Sequence, residues 1–197
     1  MEYTTPQDKS NGYEDVAETF MRVRDRHIGL ATVQKWGKTL PPGASILDLG
    51  CGHGVPIAEA LINDGFAVYG IDASEKMIGA FRTRFPGVLA ENSAAEESKF
   101  FSRTFDGVVA WGLMFLLAAD VQAALIGKVA RALKPTGKFL FTAPQEARNW
   151  LDVLTGLAST SLGADSYRRI LRAEGLILTG EEFDEGDNHY YLASKEA

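Results

Sequence analysis

The residues best suited to chemistry lie in one short segment, residues 46–54, with the sequence ILDLGCGHG. An apolar run ends there in three glycines at alternate positions, Gly50, Gly52 and Gly54, and a helical pattern follows directly. Glycine allows the backbone to turn sharply, and it lets a ligand lie against bare peptide groups. The segment therefore predicts a ligand-binding loop after a strand, at the edge where open parallel sheets bind their ligands.

The charge and the spacing of this loop limit the kind of ligand. Asp48 stands just before the first glycine, where a carboxylate could orient the loop or reach a ligand ammonium group through water. A phosphate-binding loop would rarely carry that charge, and its Gly-x-x-x-x-Gly-Lys-Ser/Thr sequence is missing from the chain. A dinucleotide loop needs a glycine where Val55 stands. The pattern favours a cationic or zwitterionic ligand, with a dinucleotide-dependent oxidoreductase as the alternative enzyme class.

A second acidic residue follows the next strand-like segment. Asp72 comes eighteen residues after Gly54. A carboxylate at the end of a second strand is where an adenosine ribose would present its hydroxyls. Ser74 can cap the next helix, and capping is also the alternative role for Asp72. Taken together with the glycine loop, the ligand role of Asp72 is the better interpretation.

Four motifs in order resemble those of the class I S-adenosylmethionine-dependent methyltransferases that act on small molecules. Residues 48–54 (DLGCGHG) look like the first motif and Asp72 like the second, while residues 105–111 (FDGVVAW) and 133–139 (LKPTGKF) resemble the fourth strand and the turn into the fifth. The resemblance covers about residues 41–143. It implies an α/β fold, a Rossmann-like, doubly wound, seven-stranded mixed sheet with helices on both faces and a C-terminal antiparallel hairpin.

The resemblance also implies the reaction and the residues that hold its cofactor. S-adenosyl-L-methionine would give its methyl group to a small-molecule acceptor by in-line displacement, leaving S-adenosyl-L-homocysteine, and a cofactor-binding subunit without catalysis is a further alternative. The acidic residue that usually contacts adenine is not obvious, because residues 91–96 offer several registers. The implied cofactor-binding residues are Asp48, Gly50, Cys51, Gly52, Gly54, Asp72, Ala73, Ser93, Ala94, Ala95, Trp111 and Gly112.

The segment before the first strand supplies one more cofactor residue. In related enzymes the N-terminal helices often close over the cofactor, and an Arg there can pair with its carboxylate. We assign this role to Arg24, with an exposed helix face as the alternative. Trp150, in the later insertion, is a candidate lid aromatic that could equally be a core residue.

Methyl transfer from a sulfonium needs little help from acidic or basic side chains. The sulfonium is an activated leaving group, so the protein mainly aligns donor and acceptor, and a base helps only if the acceptor carries a proton. The histidines are His27, His53 and His189. His53 in the glycine loop and His189 at the start of the last strand are the candidate catalytic residues, each with ordinary packing as the alternative. Strand alternation places His189 and Tyr191 on one face and Tyr190 on the other. If the first face lies over the cleft, His189 and Tyr191 could touch an acceptor; the alternative is a hairpin with half-buried aromatic residues.

No pattern in the sequence favours a metal. There is no His-x-x-x-His and no cysteine cluster, and the acidic run at residues 184–188 lacks the glutamate that a calcium loop needs eleven residues after Asp184. We expect that run to be a solvated turn. Cys51 has no recognisable base beside it and is interpreted as a small residue that fills the loop.

The elements that must position these residues alternate along the chain. Apolar spacing predicts helices before Pro41, and residues 1–40 are interpreted as N-terminal helices. Alternation of strands with helices then predicts parallel strands with crossovers. Residues 144–163 are interpreted as an insertion or lid with a short helix over 150–154, and the chain as a single domain over 1–197. The predicted strands are 45–49, 66–71, 87–90, 105–111, 138–143, 176–183 and 189–194.

Composition excludes several partners. The chain has 197 residues and a net charge of −6, so a nucleic acid is a poor partner. Its longest apolar stretch, residues 108–119, is too short to cross a membrane. One cysteine and a polar N-terminus favour the cytoplasm. The aromatic residues show no pattern that separates an interface from a core, so the sequence predicts no oligomeric state.

Overall fold

Strands and helices alternate along most of the chain in the computed structural model, which describes residues 8–196. The helices are α1 (Tyr13–Val23), α2 (Leu30–Gly37), α3 (Ile57–Asn63), α4 (Glu75–Arg84), α5 (Ala119–Ala132) and α6 (Ala164–Ala173). The strands are β1 (Ser45–Leu49), β2 (Ala67–Asp72), β3 (Leu89–Asn92), β4 (Phe105–Ala110), β5 (Leu133–Thr142), β6 (Ala147–Leu151), β7 (Ala158–Leu162), β8 (Leu176–Phe183) and β9 (His189–Lys195).

Seven of these strands form one mixed sheet in the order β3-β2-β1-β4-β5-β9-β8. The pairs among β1 to β5 are parallel, whereas β9 runs antiparallel to both β5 and β8. The predicted fold class, with its C-terminal antiparallel hairpin, is confirmed. The strand order reverses between β1 and β4, and the crevice at the carboxyl ends of the strands there is where such sheets bind ligands.

The sheet is apolar on both faces because its strands are covered on both sides. In β1, Ile46 joins one core cluster while Leu47 and Leu49 join the other, and the same alternation separates Leu140 from Phe139 in β5. Helices α2, α3 and α4 contribute to the first cluster, and α5 and α6 contribute to the second. This packing holds the carboxyl ends of β1, β2 and β4 as a fixed frame.

The prediction of a short helix at residues 150–154 is wrong. Strand β6 pairs with β7 as a separate antiparallel ribbon, with Trp150 opposite Ser159. The turn that follows is held by Asp152, whose Oδ1 accepts hydrogen bonds from the backbone N–H groups of Leu154 and Thr155. The apolar residues of 150–154 mimic helical spacing, but this side chain competes with a helix for the same backbone groups.

The helices of the described chain are all short. Within residues 8–196, none combines the length and the apolar character that crossing a membrane requires.

Candidate functional site

A cavity opens at the carboxyl ends of β1, β2 and β4. The glycine loop after β1 and the ends of β2 and β4 form its frame, and α1 contributes Tyr13, Phe20 and Arg24. Of the residues predicted to bind cofactor or act in catalysis, the structure brings twelve to its wall: Arg24, Asp48, Gly50, Cys51, Gly52, His53, Asp72, Ala73, Ala94, Ala95, Trp111 and Gly112. Gly54, Ser93 and His189 do not line it.

The glycine loop is tied to the end of β2 by its own backbone. The N–H groups of Gly50 and Cys51 both donate to the carbonyl oxygen of Ile71, at 2.8 and 3.0 Å. Gly52 has a positive φ of 53°, and a Cβ added there would meet nothing nearer than the sulfur of Met77 at 4.0 Å. The loop therefore presents bare backbone with open space beside it, as a bound ligand requires.

The third glycine of the motif has a different role. A Cβ at Gly54 would lie 2.5 Å from Cε2 of Phe85 and 3.0 Å from Cδ2 of Phe81, and its φ is 88°. Gly54 thus lets the loop pack against the aromatic residues at the end of α4. The structure does not bring Gly54 to the cavity wall, and the alternate spacing of glycines does not distinguish a residue that faces a ligand from one that faces a helix.

Two carboxyl groups flank the loop, that of Asp48 buried and that of Asp72 half-buried. Asp72 Oδ2 accepts a hydrogen bond from Gly52 N and Oδ1 accepts one from Ser74 N, each at 2.8 Å. Burial nevertheless raises the pKa of Asp72. Asp48 is only 2% exposed, and its Oδ2 finds no hydrogen-bond partner among residues 8–196. Burial, and then the neighbouring charge of Asp72, raise the pKa of Asp48 well above its usual value. A cationic ligand group would favour the ionised form of both.

The segment after β3 contributes small side chains. Ala94 and Ala95 line the cavity, and Glu96 lines it as well. Ser93 instead donates its backbone N–H to the carbonyl of Asp72 at 2.9 Å, so it supports the end of β2 without reaching the cavity. Glu96 Oε1 lies 3.5 Å from Lys9 Nζ. Glu96 was not predicted as a cavity residue, because the sequence of residues 91–96 fits the family motif in several registers.

Trp111 and Arg24 form one wall together. The guanidinium carbon of Arg24 lies 3.8 Å from the centroid of the Trp111 ring. Burial lowers the pKa of Arg24 to about 10, so the side chain still carries its charge at neutral pH. Its Nη2 has no hydrogen-bond partner in the described chain. Next to Trp111, Gly112 donates its N–H to Thr142 Oγ1 at 2.8 Å, which fixes the turn after β4.

The three histidines lie in different surroundings. His53 lines the cavity, and burial together with nearby arginines lowers its pKa to about 4. His27 is exposed. His189 is buried on the other side of β9, where its ring meets Tyr191 at 4.5 Å and its Nε2 lies 3.0 Å from Glu181 Oε2. The expected position of His189 over the cleft is wrong, because strand alternation separates two faces without telling which one faces the cavity.

Several cavity residues were not predicted from the sequence. Phe20, Phe115 and Asn188 line the wall, and the ring of Phe115 lies 5.5 Å from that of Trp150. Tyr13 lines it too and donates its hydroxyl to Asp152 Oδ2 at 3.1 Å, which joins α1 to the turn after β6. These residues come from segments distant in sequence, and no local motif marks them. Among the residues that the structure describes, no group of three or more His, Cys, Asp or Glu side chains could hold a metal ion.

Comparison with known proteins agrees with this geometry. A family model described as a methyltransferase domain matches residues 46–137. An uncharacterized methyltransferase of Synechocystis sp. is 34% identical over 113 residues, which are 57% of this chain and 52% of that protein. The chain therefore spans about half the length of that curated relative.

Solved structures extend the likeness to the whole fold. The 1,6-didemethyltoxoflavin-N1-methyltransferase of Burkholderia thailandensis, with 1,6-didemethyltoxoflavin and S-adenosylhomocysteine bound, is 15% identical with a TM-score of 0.77 and covers 100% of this chain and 93% of its own. An S-adenosylmethionine-bound amino pentose methyltransferase of Micromonospora echinaspora is 18% identical with a TM-score of 0.72, covering 91% and 95%. Residues 46–137 therefore match the model of a methyltransferase domain, and the chain has the same Rossmann-like fold as these two solved methyltransferases.

Proposed function

We propose that this chain is an S-adenosylmethionine-dependent methyltransferase that methylates a small-molecule acceptor by in-line displacement. The observation that carries the proposal is the pairing of an open-sided glycine loop with two carboxyl groups, the buried one of Asp48 and the half-buried one of Asp72, in one cavity wall. The family model and the cofactor-bound structures of similar fold support it.

The wall chemistry fits each part of the cofactor. The unpartnered carboxyl of Asp48 suits the ammonium and sulfonium end, and Asp72 suits the ribose hydroxyls. Ala94 and Ala95 leave room for a flat adenine, and Arg24 offers a cation to a carboxylate. Gly50, Cys51, Gly52, Ala73 and Gly112 complete the proposed cofactor-binding set.

The protein's part in the chemistry is alignment. When bound, S-adenosylmethionine supplies a methyl group on a positively charged sulfur, an already activated leaving group. Phe20, Trp111 and Phe115 surround the reacting centre with apolar surface that excludes water. His53 is neutral at pH 7, and its Nδ1, without a partner within residues 8–196, can accept a hydrogen bond from an acceptor hydroxyl or amine. Its low pKa makes it a weak base, so we assign it orientation of the acceptor first.

Supporting evidence for a small acceptor is the enclosure of the cavity. Residues of α1, of the turn after β4 and of the β8–β9 connection share its wall, which leaves a confined space next to the glycine loop. The two solved relatives carry the names of enzymes that act on 1,6-didemethyltoxoflavin and an amino pentose. The single-domain organisation, the cytoplasmic location and the lack of a nucleic-acid partner stay predictions from the sequence.

Calorimetric titration with S-adenosylhomocysteine tests cofactor binding. We expect saturable binding, and we expect Asp72→Ala to lower the affinity about tenfold or more because the loop and the ribose lose a shared acceptor. Ser74→Ala is the matched control: Ser74 caps α4 by accepting from Met77 N at 3.1 Å and does not line the cavity. Removing that cap costs about 1 kcal/mol of stability and should leave the affinity unchanged.

Three results would contradict the proposal. Unsaturable binding, or equal affinity in wild type and Asp72→Ala, would remove the cofactor assignment. Tighter binding of NAD than of S-adenosylhomocysteine would favour an oxidoreductase. If the cofactor binds but a cell extract incubated with the protein and a methyl-labelled donor yields no labelled product by mass spectrometry, the chain is a non-catalytic binding subunit.

A further inference from the structure

The acidic turn between β8 and β9 is not simply a solvated loop. Glu185 and Asp187 are exposed as expected, but Asp184 is 8% exposed. Its Oδ1 accepts hydrogen bonds from the backbone N–H groups of Gly186 and Asn188, both at 2.9 Å. The amide of Asn188 donates to both carboxylate oxygens. The turn therefore holds one carboxylate in a fixed position facing the protein.

That carboxylate ends a hydrogen-bond chain that starts in the cavity wall. The indole Nε1–H of Trp111 donates to Tyr190 Oη, and the Tyr190 hydroxyl donates to Asp184 Oδ2 at 2.8 Å. An indole nitrogen is a donor only. Burial and the bond to Asp184 raise the pKa of Tyr190, so it keeps its proton to donate. The direction of both bonds is therefore fixed.

The residues before α2 shield this hydrogen-bond chain from water. A Cβ at Gly29 would lie 2.6 Å from Tyr190 Oη and 2.8 Å from Trp111 Nε1, so this glycine lets the backbone close over the pair. Tyr190 is fully buried. On the turn itself, a Cβ at Gly186 would lie 2.8 Å from Cγ2 of Ile28. The hairpin turn and residues 28–29 thus enclose the two hydrogen bonds, where they are strongest.

At the cavity end of this hydrogen-bond chain, the Trp111 ring contacts the charged side chain of Arg24. Arg24 stacks on the face of the indole that Tyr190 fixes, and both Arg24 and Trp111 line the cavity. In the described chain Arg24 has no carboxylate within ion-pair distance. A half-buried cation of this kind is best satisfied by a ligand anion, and a planar guanidinium matches a carboxylate.

We propose that Tyr190 and Asp184 are positioning residues that fix the cavity wall so that Arg24 presents its charge to a ligand carboxylate. This inference rests on the proposed function, because the ligands are those of methyl transfer. The carboxylate belongs either to the methionine end of the cofactor or to the acceptor. Neither Tyr190 nor Asp184 lines the cavity. Tyr190 acts through Trp111, whereas Asp184 acts through Tyr190 and also holds Asn188, which lines the wall, so Tyr190→Phe is the cleaner test.

Tyr190→Phe removes the hydroxyl that links Trp111 to Asp184 and so tests the proposal, and Tyr191→Phe is its matched control. Tyr191 is the next residue of β9, equally buried on the opposite face, and its hydroxyl has no hydrogen-bond partner in residues 8–196. The first readout is the indole N–H resonance of Trp111 in ¹⁵N-labelled protein, assigned with Trp111→Phe. We expect Tyr190→Phe and Asp184→Asn to move this resonance and speed its exchange with solvent, and Tyr191→Phe to leave it in place.

Ligand titrations identify the source of the carboxylate. If it is the cofactor's, Tyr190→Phe lowers the affinity for S-adenosylhomocysteine about tenfold and leaves that for 5′-methylthioadenosine, which lacks the amino-acid end, unchanged. If it is the acceptor's, both affinities stay the same, and benzoate added to the S-adenosylhomocysteine-saturated protein shifts the Trp111 resonance in wild type but not in Arg24→Gln.

Two results would overturn the inference. The first is that Tyr190→Phe changes neither the indole N–H resonance of Trp111 nor the ligand affinities relative to the wild type. The other is an equal loss of affinity for both nucleosides, which means general loosening of the site. A wild-type chain that does not bind S-adenosylhomocysteine would instead contradict the proposed function, whatever the resonance does.

Discussion

Single side chains in the cavity are held in states that folding alone disfavours. Asp48 is a buried carboxyl with a pKa well above its usual value, and His53 is a buried imidazole with a pKa of about 4. Arg24 keeps its charge although, in the described part of the chain, no carboxylate lies within ion-pair distance of it. Such groups weaken a fold unless a ligand contacts them, and their clustering in one wall is typical of a binding site.

The pH dependence of stability should report on His53. Its folded pKa lies below that of an exposed histidine, so the neutral ring stabilises the fold above about pH 6.5, and this contribution is lost as the pH falls to about 4. We expect the free energy of unfolding in urea to fall by up to about 3 kcal/mol over that pH interval in the wild type. His53→Gln should not show this fall. The exposed His27→Gln serves as control. Identical pH profiles for wild type and His53→Gln would contradict the buried, neutral state.

The sequence predicted which residues line the cavity only where the motif itself determines which way a residue faces. Asp48 and Asp72 lie at the carboxyl ends of the apolar strands β1 and β2, and Gly52 is in the loop after β1. The alternation of strands and helices predicts that these strand ends meet at one edge of the sheet. His189 and Gly54 were misplaced, because period-two alternation and glycine spacing leave the facing side open. Phe20 and Phe115 carry no local signal, since only the folded chain brings them together.

At the level of secondary structure, the strongly periodic strands and helices were predictable and the ribbon of β6 and β7 was not. Buried parallel strands are apolar along their whole length, which identifies β1 and β4. In β6 and β7 most positions are polar or exposed, and pairing between the two strands decides their structure. A partner strand that stabilises a segment through backbone bonds leaves little mark on its sequence.

The two glycines Gly52 and Gly54 should separate binding from folding. Gly52→Ala places a methyl group in open space beside the ligand, so we expect a loss of about 1 kcal/mol in stability but an affinity for S-adenosylhomocysteine lowered about tenfold or more. Gly54→Ala forces a methyl group against Phe85 and Phe81 at a positive φ, and should cost about 2–4 kcal/mol. Thermal melts and calorimetry on both variants check this, and equal effects on affinity and stability in the two would refute the division.

The molecule as a whole places one cavity where three distant segments meet the sheet. Tyr13 of α1 reaches Asp152 after β6, and Asn188 between β8 and β9 lines the same wall as the glycine loop. The alternation of strand-like and helix-like segments predicted the central sheet. The closure of the cavity depends on contacts between residues more than a hundred positions apart, such as Tyr13 and Asp152, which no single-sequence pattern encodes.

Ligand binding should therefore stabilise the entire chain. A ligand that binds only the folded state at one hundred times its dissociation constant adds about 2.7 kcal/mol, which for a chain of this size is a rise of about 5–10 °C in the melting temperature. We expect S-adenosylhomocysteine to produce this shift in a thermal melt and NAD at the same concentration to produce none. A shift with NAD alone would contradict the assignment.

A crystal structure of the chain with S-adenosylhomocysteine is the most direct test. The account predicts the nucleoside in the cavity, with the ribose hydroxyls within hydrogen-bond distance of the Asp72 carboxylate and the homocysteine part against the backbone of residues 50–52. Density for the ligand at another place on the molecule, or an Asp72 side chain turned away from the sugar, would contradict it.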